Sequence, residues 1–336
     1  MSLCYRAFGQ RLESDIELPL LSPCEKTRPF ESSERFPPTG ISASIRVSDD
    51  ALLVREPSIG GSDDTTFTMF REGSSVLMAL NRTGWLARFN EGSVDITLHP
   101  DARVQDTSVA RESRFSRVLG DRVVTSVVPF IPQLWGLIAV HGALLSSPAG
   151  GVLLVGKSGA GKSTLSQVLR RDFGWHVLDD DTSMVVSDGE NIRLLPMGAK
   201  ARLKRDAAEF LELPIEPLPG HGGGKGALRA DSRPQPLEMG VTLSHTFSLA
   251  SDQEPGAAPA DISVEQIEQV RALSALYESL FGLWPDRKEP IKELFRVSAE
   301  LASVKSFSLA FSSGSHSPLD VARMVGQAVK LALRSS

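Results

Sequence analysis

The sequence predicts an α/β domain preceded by a smaller, β-rich domain, with the pattern changing near residue 112. Three observations support this. Up to about residue 110 the apolar residues recur in short alternating runs separated by turn residues, as strands do. From Ser113 onward, helical spacing and continuous apolar runs take over. Within that second part, Val152–Val155 reads as a strand buried on both faces, and the eight residues after it fit the pattern G-x-x-x-x-G-K-[ST] immediately before a helical segment.

The first domain, residues 1–112, contains alternating segments at Ile45–Val47, Thr66–Phe70, Ser75–Leu80, Trp85–Phe89 and Val94–Leu98. Asp49-Asp50, Gly60-Gly61, Glu72-Gly73 and Glu91-Gly92 read as turns between them. Cys24 to Gly40 is rich in Pro, Glu, Arg and Ser and reads as a surface loop. The two cysteines, Cys4 and Cys24, lack the CxxC or Cys/His spacing of a zinc or redox site, so both are expected as free thiols. Met1 to Gln10 has no apolar secretory core, which makes the cytoplasm the expected compartment.

The second domain, residues 113–336, opens with a helical pattern from Phe115 to Ile138, broken by proline. The apolar run Val123–Val140 is interrupted by Thr125, Ser126, Pro129, Pro132 and Gln133, which favours a buried core element over a membrane span. Val140–Leu145 is expected as one strand and Thr164–Arg171 as a helix ended by Gly174. Trp175–Leu178 is the next strand and runs into Asp179-Asp180-Asp181. A hairpin follows from Met184 to Leu195 about Asp188-Gly189, and Gly220–Gly226 reads as a glycine-rich loop. Ser263 with Gln266 resembles a capping box for a helix with Val264, Ile267, Val270, Leu273 and Leu276 on one face. Ser317-Pro318 opens the last helix.

Composition narrows the partners. Hydrophobic residues at 41% and charged residues at 23% describe a globular chain, and a formal net charge of -5 with no long Lys/Arg run argues against nucleic acid or an anionic membrane as the main partner.

The glycine-rich segment carries the strongest chemical signal. Gly156, Lys157, Ser158, Gly159, Ala160, Gly161, Lys162, Ser163 and Thr164 are expected to cradle the phosphates of a nucleotide. Its glycines let successive N–H groups turn inward, and the helix N-terminus adds partial positive charge. Lys162 is placed to neutralise the β- and γ-phosphates, and the Ser163 hydroxyl to hold Mg²⁺. ATP and Mg²⁺ are therefore the expected cofactors.

Asp179, Asp180 and Asp181 follow at the carboxyl end of the next strand, the edge where open α/β sheets bind ligands. One carboxylate there can associate with Mg²⁺ and another can accept the proton of an attacking hydroxyl. Three adjacent side chains cannot all face one site, so one is expected to cap the turn, and crowding should raise at least one pKa. His141 has two open readings, a cleft imidazole that stabilises negative charge or a satisfied core residue. Of Lys200, Arg202, Lys204, Arg205 and Lys225, one or two are candidates to clamp phosphates, and a solvated helix face is expected for the rest.

The succession Val140-His141-Gly142, Val152–Val155, Gly156–Ser163 and Leu178-Asp179-Asp180-Asp181 resembles the catalytic domain of HPr kinase/phosphorylase. This resemblance implies that Asp180 is the catalytic base, that Asp181 helps with Mg²⁺, and that Lys162 and His141 act at the phosphates. It also implies possible oligomers. Tyr5–Gly9, the β-rich first domain and Trp175 are similar to one branch, the kinases of lasso-peptide clusters, which phosphorylate the C-terminal serine of a precursor peptide. A peptide or protein bearing an acceptor serine is the partner this implies, bound in part by an edge of the first domain's sheet. No Glu-x-Arg-Gly segment follows, so the reverse phosphorolysis is not carried over. A kinase of a small hydroxylated metabolite and a nucleotide-hydrolysing regulatory module stand as alternatives.

Overall fold

The computed structural model describes residues 3–24, 43–48, 67–72, 75–80, 85–90, 93–98, 119–121, 123–187, 190–217, 224–228, 240–251, 261–281, 288–311 and 316–334. The expected turns at 49–50, 60–61, 91–92 and 188–189, Gly73, the loop at 25–40, the domain boundary at 112/113 and Gly220–Gly223 lie outside these residues.

Period-two alternation in the first part becomes one sheet. Its strands are β1 (Leu3–Ala7), β2 (Gln10–Ser14), β3 (Ser22–Pro23), β4 (Ala43–Ser48), β5 (Phe67–Glu72), β6 (Ser75–Leu80), β7 (Trp85–Asn90) and β8 (Ser93–Leu98), in the order β3-β1-β2-β4-β8-β7-β6-β5. Strand side chains alternate between faces, so in β8 Val94 and Ile96 are fully buried between half-buried Ser93 and Asp95. Both cysteines are free thiols, and the Cys24 N–H donates to Cys4 O.

The buried face of this sheet does not close a core of its own. Met78, Phe89, Val94 and Ile96 share one cluster with Val123, Val127, Phe130 and Ile131, and with Met184, Val186, Leu195 and Met197 from the second part. The apolar run around Val123 is therefore core, with residues 119–121 and 123–126 helical and Val128–Trp135 a 3-10 helix containing Pro129 and Pro132. No helix among the described residues is long and apolar enough to cross a membrane.

The second sheet positions the site. Its strands are β9 (Ile138–His141), β10 (Ala143–Ser147), β11 (Gly150–Gly156), β12 (His176–Asp179), β13 (Thr182–Ser187), β14 (Ile192–Pro196), β18 (Val241–Ser251), β19 (Ser263–Gln266) and β20 (Lys305–Phe311). The order is β12-β10-β11-β18-β14-β13-β9, with β20 also on β18 and β19 on β20. A smaller sheet joins β15 (Arg202–Lys204), β17 (Lys225–Leu228) and β16 (Ile215–Pro217). The helices are α1 (Lys162–Phe173), α2 (Arg205–Phe210), α3 (Gln269–Glu278), α4 (Lys288–Leu301) and α5 (Pro318–Arg334).

Strand β11 is buried on both faces, as its unbroken apolar run requires. Val152 and Leu154 pack with α1 and α5 through Leu165, Val168 and Val325, whereas Leu153 and Val155 pack with Leu276, Val297 and Leu301 of α3 and α4. Burying each such aliphatic side chain contributes about 1.5–3 kcal/mol. Strands β11, β18 and β20 are parallel, and β10 is antiparallel to both β11 and β12, so β12 runs the same way. The carboxyl ends of β11, β12, β18 and β20 thus share one edge.

Three expectations are corrected. Val140–Leu145 is two strands, because the chain leaves β13 for β11 at Gly142, where an added Cβ would stand 2.7 Å from Leu154 O. Ser263–Gln266 is a strand and not a helix opening, since it pairs with Phe307–Ala310, and the helix begins at Gln269. Its core face is Ala272 and Leu276, while Val270 is 79% exposed. Lys225 and Gly226 belong to β17 instead of a glycine loop. The opening of the last helix does follow the sequence: Ser317 Oγ donates to Asp320 Oδ2 and accepts the Asp320 N–H.

Candidate active site

The loop between β11 and α1 is where the sequence expects a phosphate cradle. Gly156 sits at φ 147°, where a Cβ would lie 2.7 Å from Leu249 O, so the loop can leave the sheet there only through glycine. Helix α1 has no acidic residue in its first turn and carries Arg170 and Arg171 in its last. Its macrodipole is thus answered at the C-terminus and left open to an anion at the N-terminus.

The expected site residues have distinct places here. Ser158, Gly159, Gly161, Lys162, Ser163 and Thr164 line a cleft of about 830 Å³. Ala160 is buried beneath the loop. Gly156 and Lys157 offer their carbonyls to Lys162 Nζ, at 2.6 and 3.3 Å. Burial lowers the Lys162 pKa, with Lys225 adding to this and Asp181 and Asp180 opposing it.

The acidic run divides its three side chains. Asp179 turns away from the cleft and caps the turn: Oδ1 accepts the N–H groups of Asp181 and Thr182, and Oδ2 accepts that of Gly198. Burial and neighbouring Asp180 push its pKa up to about 7 against these hydrogen bonds. Asp180 lines the cleft with Ser163. Its Oδ2 accepts the Arg202 N–H at 3.0 Å, and its buried Oδ1 has no partner among the described residues. Burial raises this carboxyl to about 6, with Arg202 pulling the other way. Asp181 Oδ1 accepts Arg202 Nη2 at 2.6 Å and its Oδ2 accepts the Thr182 hydroxyl. Burial opposes ionisation of Asp181, but Arg202 and His141 hold its pKa below the usual carboxylate value.

His141 lies in the cleft, half-buried, and its Nδ1 is 2.9 Å from Asp181 O. Burial lowers its pKa, and Lys162 and Arg202 lower it further against Asp181. His141 thus lines the cleft, one of the two readings the sequence leaves open, and burial disfavours its charged form.

Arg202, one of the five basic residues named from the sequence, takes a role that sequence reasoning did not assign, pairing with Asp181. The basic stretch reads as a solvated helix face, yet Arg202 opens β15 with its side chain only 14% exposed against Asp181, while Lys204 and Arg205 face solvent. The period-two pattern of Ala201-Arg202-Leu203-Lys204 is the signal that marks a strand here.

Among the described residues, no group of three or more His, Cys, Asp or Glu side chains forms a metal cluster. A hydroxyl and one or two carboxylates are nevertheless the donors that suit Mg²⁺, which keeps most of its waters. The Ser163 hydroxyl fits that need directly, and Asp180 fits it through a retained water. Asp181, the sequence expectation, has both oxygens engaged by Arg202 and Thr182.

The fold is thus a mixed, β-rich α/β scaffold on which a strand–loop–helix turn faces buried carboxylates. No family model and no curated protein matches the chain. Among solved structures it is similar to the HPr(Ser) kinase/phosphatase from Coxiella burnetii, at 15% identity over 59% of this chain and 93% of that chain, with a TM-score of 0.28.

Proposed function

We propose that this chain is a cytoplasmic kinase that uses Mg²⁺ and ATP to phosphorylate a serine hydroxyl of a peptide or protein, with residues 113–336 as its catalytic domain. The observation that carries this is Asp180, whose buried, unpartnered Oδ1 stands beside Ser163 at the mouth of the phosphate cradle. A pKa near 6 leaves this carboxylate mostly ionised at neutral pH yet basic enough to take a proton.

In the reaction, the acceptor O–H proton passes to Asp180 as the acceptor oxygen bonds to the γ-phosphorus, and the bond from that phosphorus to the β-bridging oxygen breaks, leaving ADP. Lys162 and the loop N–H groups balance the charge that develops. Arg202 keeps Asp181 ionised and holds Asp180 in place through its N–H. Mg²⁺, if held by the Ser163 hydroxyl, would supply charge neutralisation at the phosphates and leave the free oxygen of Asp180 for the proton. The C-terminal serine of a lasso-peptide precursor is the proposed acceptor, supported by the sequence resemblance alone.

The test is mass spectrometry of precursor-type peptides incubated with the protein, Mg²⁺ and ATP, beside Asp180→Asn. A gain of one phosphate on serine that the variant lacks supports the reading. ATP consumption with no phosphorylated peptide would direct the search to small hydroxylated metabolites or to simple hydrolysis.

A further inference from the structure

We propose that the cleft has a direction: the nucleoside end of the nucleotide lies against Phe311, His316 and the first turn of α5, and the acceptor enters from the opposite side, past His141 and Phe281. This rests on the phosphotransfer reading above.

Strand order sets the direction. From β11, which feeds the phosphate cradle, β10 and then β12 lie on one side, and β18 and then β20 on the other. The acidic run leaves the end of β12 and Phe311 is the end of β20, so carboxylates and aromatic ring flank the cradle. A Cβ added to Gly161 would meet Phe311 Cζ at 3.6 Å, which puts that ring at the start of α1. The γ-phosphate belongs with Lys162, Ser163 and Asp180. A triphosphate laid across the loop from there directs its nucleoside toward Phe311. In-line transfer requires the acceptor to approach the γ-phosphorus from the side away from the β-phosphate, which is the His141 side.

Each side has the chemistry for its part. On the Phe311 side, Pro318 and Val321 add apolar surface, and the buried Nδ1 of His316 has no hydrogen-bond partner among the described residues. A heteroaromatic base offers both a face for such a wall and an edge with donors and acceptors for such a nitrogen. On the other side, Phe281 packs edge-on to His141 and to Phe130, with ring centroids 6.0 and 5.2 Å apart. Phe281 is pinned there by its N–H to Ala139 O at 2.9 Å.

Calorimetry with ADP, GDP and inorganic tripolyphosphate, each with Mg²⁺, tests this on the full chain and on His316→Ala. The variant is expected to bind the preferred nucleoside diphosphate roughly three- to tenfold more weakly, as for one lost hydrogen bond, and tripolyphosphate within about twofold of wild type. The 8-azido triphosphate of the preferred base is expected to photolabel residues 311–334 of the wild-type protein. Unchanged nucleotide affinity in the variant, or labelling within residues 119–141, overturns the proposed direction. If His316→Ala loses tripolyphosphate as well, labelling of the wild type decides. Failure of the wild-type protein to bind any of the three ligands overturns the phosphotransfer reading, and this subsite with it.

Discussion

Arg202 Nη2 lies 2.6 Å from Asp181 Oδ1 with both side chains largely buried, so its charge opposes the effect of burial on Asp181 and keeps that carboxyl ionised. Its backbone N–H also holds Asp180 Oδ2. Neither contact joins neighbours in sequence, and together they tie the small sheet of β15, β16 and β17 to the end of β12.

Replacing this arginine should therefore change the pH profile as well as the rate. In Arg202→Met the positive charge that opposes the rise in the Asp180 pKa is gone, so the acid limb of kcat/KM is expected to move above pH 6. Leaving Asp181 buried without its partner should cost about 3–5 kcal/mol of stability, read from urea unfolding. Arg202→Lys keeps the charge without the forked geometry and should restore the pH profile more fully than the stability.

Asp180→Asn should separate activity from stability. Phosphotransfer is expected to fall about 10²–10⁴-fold while nucleotide binding persists. The folded pKa of Asp180 is raised above its unfolded value, so the favourable contribution of its protonated form is complete below about pH 4 and is lost as pH rises through about 6. The variant should thus be more stable than wild type at pH 8, by about 2 kcal/mol, with the difference closing toward pH 4. Melting temperatures at the two pH values check this.

Asp179→Ala should act as a structural lesion. It would leave the N–H groups of Asp181, Thr182 and Gly198 without their acceptor, which should cost at least about 2 kcal/mol. A lower urea midpoint with an unchanged m-value is the expected result.

A chain beginning at Ser113 should not fold as a stable unit. It would expose Val123, Phe130, Ile131 and Met184, which pack with Met78, Phe89 and Val94. Aggregation of the fragment, or dye binding that reports exposed apolar surface, is the expected observation. Full activity in a stable fragment would also rule out a peptide-binding role for the first sheet.

Local chemistry was legible in the chain. The strand–loop–helix around Gly156–Ser163 follows from an apolar run, glycines and helical spacing, all read within twenty-odd residues. Gly174 takes the left-handed C-cap conformation expected of it, and β4 to β8 of the first sheet fall close to where alternation places them, whereas β1, β2 and β3 are not read from it as strands. The sharing of labour within the acidic run was legible in outline, since an extended backbone cannot aim three adjacent carboxylates into one cleft.

The tertiary structure decided the rest, because it depends on contacts between segments far apart in sequence. Ser263–Gln266 carries helix-opening residues, yet pairing with β20 makes it a strand, ladder hydrogen bonds overriding a weak local preference. Arg202 looks like any surface arginine until β15 meets Asp181. The merging of the first sheet's core with Met184 and Met197 is invisible in residue spacing for the same reason: burial depends on which face meets which. By itself the sequence determined the strand, glycine loop and helix around Gly156–Ser163 and the strand-rich first part; only folding chose Arg202 as the partner of the acidic run and joined the two parts through one core.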